Sequence, residues 1–217
     1  MFLSRLVRVA LALVAIGPLS AAGILTVGPP GSGAQFTQIQ AAVNAALDDD
    51  VILVQPGTYQ RIVVDKPLRI LGVAPGVVID AGFDNSAVIV RGIAAAKEFV
   101  LSGVSARSLR FLARLPAIQL ENSPGTLALQ DVVIRYDPRD SNATIGVQLE
   151  NCARVLLLDS RILEAGIVEV QTGALVARNS ELWIANSEIR GTHDGFFALS
   201  GSHGIEATDS TLRVWRS

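Results

Sequence analysis

The sequence predicts an all-β chain wound into a solenoid, with a single helix at its N-terminal end. Three observations predict it. One stretch of helical periodicity, near residue 40, is followed only by short β-branched segments separated by Gly and Pro corners. A phrase of small and aliphatic residues then recurs through the second half of the chain. Finally, half of the residues are apolar but only 5% are aromatic, with 19 Gly. That composition suits aliphatic side chains stacked in a narrow interior better than an aromatic-rich globular core.

Residues 1–22 read as an export signal. Arg5 and Arg8 precede an apolar core, Val9–Ile16, and the small residues Gly17-Pro-Leu-Ser-Ala-Ala22 place Ser20 and Ala22 at cleavage-site spacing. The core is too short to span a bilayer, and no cysteine near the cleavage point offers a lipid anchor. An uncleaved N-terminal anchor is the alternative. Export leaves 195 of the 217 residues, ample for one domain, with a formal charge of −4. That balance points away from nucleic acid and, for the mature form, away from a membrane surface. The expected location is therefore secreted, periplasmic or cell-surface. Cys152 is the only cysteine, so no intramolecular disulfide forms, and it reads as a small apolar residue on an inward position.

Residues 23–50 hold a first strand, Ile24–Val27, the turn Gly28-Pro-Pro-Gly-Ser-Gly33 and a helix. Phe36, Ile39, Ala42, Val43, Ala46 and Leu47 recur at helical spacing, which predicts about three turns with one apolar face, from about Thr37 to Leu47. The acidic run Asp48–Asp50 marks its stop, because acids suit a helix N-terminus better than its C-terminus. Short strands follow at Val51–Val54, Arg61–Val64, Leu68–Leu71 and Val77–Ile79.

Within this stretch Phe36-Thr-Gln-Ile-Gln-Ala-Ala42, Asp50-Val-Ile-Leu-Val-Gln-Pro-Gly-Thr-Tyr59 and Leu68-Arg-Ile-Leu-Gly72 carry a resemblance. They are similar to the opening of the right-handed parallel β-helix proteins, the pectin-lyase-like superfamily. The resemblance covers about a quarter of the chain. It implies a right-handed parallel β-helix over residues 51–217 with the helix as its N-terminal cap, and at ~22 residues per coil that length gives about seven coils. That superfamily holds polysaccharide lyases, hydrolases, esterases and epimerases, and members with no known activity.

The repeat is read from four phrases. Ala117-Ile-Gln-Leu120 leads to Asp131, Gly146-Val-Gln-Leu149 to Asp159-Ser160, Gly166-Ile-Val-Glu-Val170 to Asn179-Ser180, and Gly195-Phe-Phe-Ala-Leu199 to Asp209-Ser210. Alternating apolar residues such as Leu127, Leu129, Val132 and Ile134 are expected to stack as columns between coils. Asp/Asn–Ser fits a corner, and Asn122 and Asn151 predict a polar ladder at a second one. Equating Asp131, Asp159, Asn179 and Asp209 gives steps of 28, 20 and 30 residues, with 20 as the bare coil. The longer coils then carry excursions at one phase: Ala106–Pro116, Arg135–Thr144 and Trp183–Asp194. Asn186-Ser-Glu-Ile189 itself resembles a corner, so the last of these could conceal part of a coil.

Excursions on one face of a solenoid are where such proteins usually bind. They offer Arg107, Arg110, Arg114, Arg135 and Arg139, with Tyr136, Trp183, Asp137, Asp140, His193 and Asp194. Guanidinium forks match uronate carboxylates and an aromatic face stacks on a sugar ring, so a polysaccharide, chiefly an acidic one, is the expected ligand. The rival reading is a set of solvated loops. Tyr136-Asp-Pro-Arg-Asp140 resembles a segment of alginate-epimerase-type β-helices, but Arg139 stands where a histidine base is expected. Gly57-Thr-Tyr59 resembles the start of pectin methylesterases, but Gln60-Arg61 follows in place of an acid. Catalytic residues are thus not assigned. His193, Asp194, His203 and Glu206 read as loop residues, and neither a metal nor another cofactor is implied. Two functions stay open: a polysaccharide-binding or structural surface module, and a lyase- or epimerase-type enzyme on uronate polymers. The C-terminal stretch Thr211–Ser217 stops inside a strand. Trp215 lids it, or it meets a partner, or the chain continues.

Overall fold

The computed structural model describes residues 22–83, 85–109, 115–135, 145–163, 173–190 and 203–215. The presumed export signal lies outside them, Ala22 excepted. Among the described residues the first elements are β1 (Ile24–Val27) and α1 (Ile39–Ala45), and every later one is a strand. A first turn comprises β2 (Val51–Val54), β3 (Gly57–Gln60) and β4 (Ile62–Val64), and a second β5 (Arg69–Gly72), β6 (Val77–Phe83) and β7 (Val88–Arg91). From there strands run on around corners: β8 (Glu98–Leu109), β9 (Ile118–Arg135) and β10 (Val147–Leu158). The last are β11 (Arg161–Leu163), β12 (Gly173–Arg178), β13 (Glu181–Ala185), β14 (Glu188–Arg190), β15 (His203–Thr208) and β16 (Thr211–Trp215).

All pairings among the described residues are parallel, and they stack the turns into three sheets. Sheet I runs β1-β2-β5-β8-β9-β10-β13-β16. Sheet II runs β3-β6-β8-β9-β11-β14, and sheet III β4-β7-β9-β10-β12-β15. The chain is a right-handed parallel β-helix. Of the expected seven coils, six carry all three strands among the described residues, and β16 alone represents the seventh.

The core is the predicted set of aliphatic columns. Ile52, Ile70, Leu101, Leu129, Leu157 and Ile184 lie in register up sheet I, and Ile62, Val88, Ile118, Val147 and Leu175 up sheet III. All of these are buried. One turn cannot cover its own inward side chains, so each depends on its neighbours. At the N-terminal end that neighbour is α1, which packs against β1 to β4 and buries Ile39, Ala42, Val43 and Ala46. The helix is shorter than expected. It starts after Gln38, ends before Ala46, and leaves Leu47 exposed. Lys66, reaching up from the first turn, closes it: Nζ donates to the carbonyls of Val43, Asn44 and Ala46 at 3.1, 3.3 and 2.8 Å. Asp50 ties the exit down, its carboxylate accepting from Gly23 N at 2.6 Å and Leu47 N at 2.8 Å.

The repeat differs from the sequence reading in one respect. Asp131, Asp159 and Asn186 turn the chain from sheet I to sheet II, whereas Asn122, Asn151, Asn179 and Asp209 turn it from sheet III to sheet I. All seven have a positive φ, between 46° and 53°. Asn and Asp enter that left-handed region more readily than other residues with a Cβ. Gly103 and Gly92 hold the same two corners one turn earlier, with φ of 67° and 71°. The first corner thus recurs at 28, 28 and 27 residues, and the other at 30, 29, 28 and 30. The 20-residue coil does not exist, because Asp159 and Asn179 belong to different corners. Asn186-Ser187 is the concealed corner.

The predicted amide ladder is present: Asn151 Nδ2 donates to Asn122 Oδ1 at 3.0 Å, and Asn179 Nδ2 to Asn151 Oδ1 at 2.9 Å. Beside it the hydroxyls of Ser123, Ser160, Ser180, Ser187 and Ser210 accept backbone N–H groups of the turn before. Cys152 occupies a serine position in this stack, buried, with its thiol donating to Glu150 O at 3.5 Å. Burial pushes the thiol pKa up.

Candidate ligand-binding groove

The side chains of sheet I that face water are unusually apolar. In β10 the outward positions are Arg154, Leu156 and Leu158, in β13 Glu181, Trp183 and Ala185, and in β16 Arg213 and Trp215. Sheet alternation puts these residues on one face, and parallel register stacks Leu156, Trp183 and Arg213 directly over one another. Arg154, Leu156, Leu158, Trp183, Ala185 and Trp215, together with Glu98 and Thr126 from the turns below, line a groove of about 590 Å³, with Glu181 and Arg213 beside it.

Two tryptophans dominate it. The Trp183 and Trp215 rings are 4.9 Å apart between centroids and inclined at 45°, and Trp215 is 48% exposed. Trp183 Nε1 donates to Glu181 Oε1 at 2.7 Å, and the same carboxylate oxygen lies 3.6 Å from Arg213 Nε. The guanidinium carbons of Arg213 and Arg154 are 4.9 and 5.6 Å from the Trp183 ring centroid, within cation–π range. Arg69, farther down the sheet, is paired with Glu98 at 2.9 Å. Arg154 makes no ion pair among the described residues. The site is therefore an open apolar strip with an exposed indole, a locked indole beneath it and one uncompensated cation at its edge. Such a strip can stack a sugar ring and hold an anionic group next to it.

A second depression, of about 610 Å³, lies on sheet II beside Gln38, Gln60, Arg61, Asp80 and Gly82. Its charges are satisfied. Arg107 Nε donates to Asp80 at 3.0 Å, with a second bond from Nη2, and Arg61 Nη1 donates to Asn85 Oδ1 at 2.9 Å. Burial raises the Asp80 pKa, but the Arg107 bonds and the Gly82 N–H outweigh it and hold the carboxyl below its usual range.

Of the expected site residues, Arg107 is thus part of a strand-to-strand ion pair in sheet II. Arg135 ends β9, and only its backbone is described. Arg110, Arg114, Tyr136, Asp137, Arg139, Asp140, His193 and Asp194 lie outside the described residues. Segments 110–114, 136–144 and 191–202 do share one phase, since each leaves from sheet II and returns to sheet III. Segment 164–172, which holds the repeat phrase Gly166–Val170, shares it too. Trp183 does not belong with them. It lies in β13 on sheet I, and the excursions leave from the one corner that sheet I does not touch. The sequence reading missed Arg154, Glu181 and Arg213, and assigned Trp215 to the open end of the coil. Trp215 instead points outward beside Trp183, and Leu212 and Val214 remain 40% and 49% exposed. The signal that could have found the groove is the set Arg154-Val-Leu-Leu-Leu158, Glu181-Leu-Trp-Ile-Ala185 and Leu212-Arg-Val-Trp215, in which the outward positions Leu156, Leu158, Trp183, Ala185 and Trp215 are apolar or aromatic as well as the inward ones.

No protein-family model matches this sequence, and no curated protein sequence matches it. Solved structures do resemble it. Pectin methylesterase from Aspergillus niger, in penultimately deglycosylated form, matches over 91% of this chain and 87% of its own, with 13% identity and a TM-score of 0.46. Its deglycosylated form matches over 89% and 86%, at 12% identity and a TM-score of 0.42. The rice weevil pectin methylesterase matches over 89% of each chain, at 11% identity and a TM-score of 0.28. The match is one of winding. It does not reach the chemistry of either protein.

Proposed function

We propose that this protein is an exported β-helix that binds a polysaccharide, chiefly an acidic one, along the outer face of sheet I. The observation that carries the reading is the exposed Trp215 ring resting on Trp183 in a water-facing row of a regular sheet. A large apolar ring left open beside a guanidinium loses hydrophobic free energy unless something covers it, and a sugar ring offers an apolar face with polar edges. The strip lies across successive strands, β10, β13 and β16, as an extended chain ligand requires. A purely structural role would not call for an outward indole there.

Binding to polygalacturonate, alginate and a neutral dextran, followed by calorimetry and tryptophan emission, tests the proposal. The parent is expected to bind a polyuronate at low salt, and Trp215→Ala to lose at least tenfold, ~1.4 kcal/mol. An Arg135→Ala, Arg139→Ala double variant serves as the comparison. If it abolishes binding while Trp215→Ala does not, the ligand lies at the excursions and the groove is not its site. A parent that ignores all three polymers overturns the reading.

A further inference from the structure

We infer that the charged residues of the groove divide the work of recognition: Glu181 and Arg213 set the indole platform, and Arg154 alone reads an anionic group on the ligand. The inference rests on the polysaccharide reading above and specifies how that site discriminates.

Glu181 Oε1 receives the Trp183 indole N–H at 2.7 Å and faces Arg213 Nε at 3.6 Å. One carboxylate therefore fixes the direction of the indole and neutralises the guanidinium that covers it. Arg213 is held 4.9 Å from the ring centroid, with Glu181 offsetting part of its field. Arg69 is likewise neutralised by Glu98. Arg154 differs. It is exposed, it lines the groove, and among the described residues its side chain makes no hydrogen bond or ion pair; its guanidinium carbon lies 5.6 Å from the Trp183 ring centroid. A planar guanidinium so placed still has its donor fork for a carboxylate or a sulfate ester, in a setting that an apolar wall partly desolvates. Glu181 and Arg213 are positioning residues in this scheme, and Arg154 is the contact residue.

Two measurements separate the roles. The first needs no glycan: quenching of tryptophan emission by iodide, an anion, relative to acrylamide, which is neutral. Arg154→Gln is expected to lower the iodide-to-acrylamide ratio about twofold or more and leave the emission maximum in place. Glu181→Gln, which keeps an acceptor for the indole but releases Arg213, is expected to move the emission maximum. The second compares affinities for polygalacturonate, dextran sulfate and neutral dextran. Arg154→Gln should lose tenfold or more on whichever anionic polymer the parent prefers and keep its neutral affinity, with Arg154→Lys recovering part of the loss. Preference for dextran sulfate over polygalacturonate identifies a sulfate reader, and the converse a carboxylate reader. Glu181→Gln and Arg213→Gln should lower neutral and anionic affinity by the same factor. Equal losses for Arg154→Gln on neutral and anionic polymers, or an unchanged iodide ratio, overturn the division while leaving polysaccharide binding intact. A parent that binds none of the polymers overturns both.

Discussion

Asn151 is the middle rung of the amide ladder, and replacing it separates two contributions that the corner combines. It donates to Asn122, accepts from Asn179 and holds a φ of 53°. Both hydrogen bonds are solvent-exposed, so each is worth ~0.5 kcal/mol, the low end of the range for net intramolecular bonds. A left-handed φ costs an ordinary residue with a Cβ ~1 kcal/mol more than Asn. Asn151→Ala should therefore destabilise by about 2 kcal/mol. Asn151→Gly, which loses the bonds but escapes the steric cost, should destabilise by about 1 kcal/mol. For a domain of this size those losses correspond to melting temperatures lower by roughly 4–8 °C and 2–4 °C. Urea unfolding followed by circular dichroism measures both, with the slopes compared to check that the transition stays cooperative. If Gly proves as damaging as Ala, the left-handed backbone is not the source of the cost. If neither variant moves, the ladder contributes nothing net.

Other substitutions test other parts of the structure. Asp159 accepts from Asn186 at 3.3 Å but cannot donate to Asp131 one turn below; Asp159→Asn removes a like-charge neighbour, adds a donor and should stabilise by ~0.5–1 kcal/mol in urea. Lys66→Met deprives three helix-end carbonyls of their donor and should cost ~1–2 kcal/mol, with α1 exchanging amide protons earlier than the sheets. At Gly125 a Cβ would meet Ala94 O at 2.4 Å and Lys97 O at 2.6 Å; Gly125→Ala should cost ~2 kcal/mol or more, whereas Gly33→Ala, with open space around it, should cost only the ~1 kcal/mol of its backbone angle. Asp80, whose folded pKa is depressed, contributes stability that is complete above its unfolded pKa of ~3.9 and is lost as pH falls through the lower folded value. Arg107→Ala should raise the Asp80 carboxyl titration, read by NMR, and shrink that acid-dependent loss.

The fold was legible because its two strongest signals are physical necessities. Inward columns must be aliphatic in every turn, as Leu101, Leu129 and Leu157 are, and the first turn needs a lid, which the spacing of Ile39, Ala42 and Val43 supplies. The period was misread for an equally physical reason. Both tight corners need a residue tolerant of positive φ, and in the later turns a serine often follows it, so Asp159-Ser160 and Asn179-Ser180 look alike although they turn different edges. Trp183 was displaced by that error, since it lies just before the corner at Asn186, which the sequence offers only as an alternative to an excursion. The groove itself was hidden because outward and inward positions of β10 are both aliphatic, and alternation then carries no information about which side faces water.

The serine stack has a direction, and that direction bears on how the chain is made. The N–H groups of Ile93, Val132, Cys152, Ser160 and Ser180 are each satisfied by a hydroxyl about 30 residues later, on Ser123, Ser160, Ser180, Ser187 and Ser210. A turn emerging during synthesis is therefore unfinished until its successor has been made, roughly one to six seconds later at ~5–20 residues per second. A chain ending after one of these corners presents an unpaired corner amide and an uncovered aliphatic layer, both of which the next turn covers. From Ile93 onward, satisfaction of the corner amides thus runs one way along the chain, each described serine completing a corner of the turn before it. A nascent chain halted partway should be closed everywhere except at its last turn.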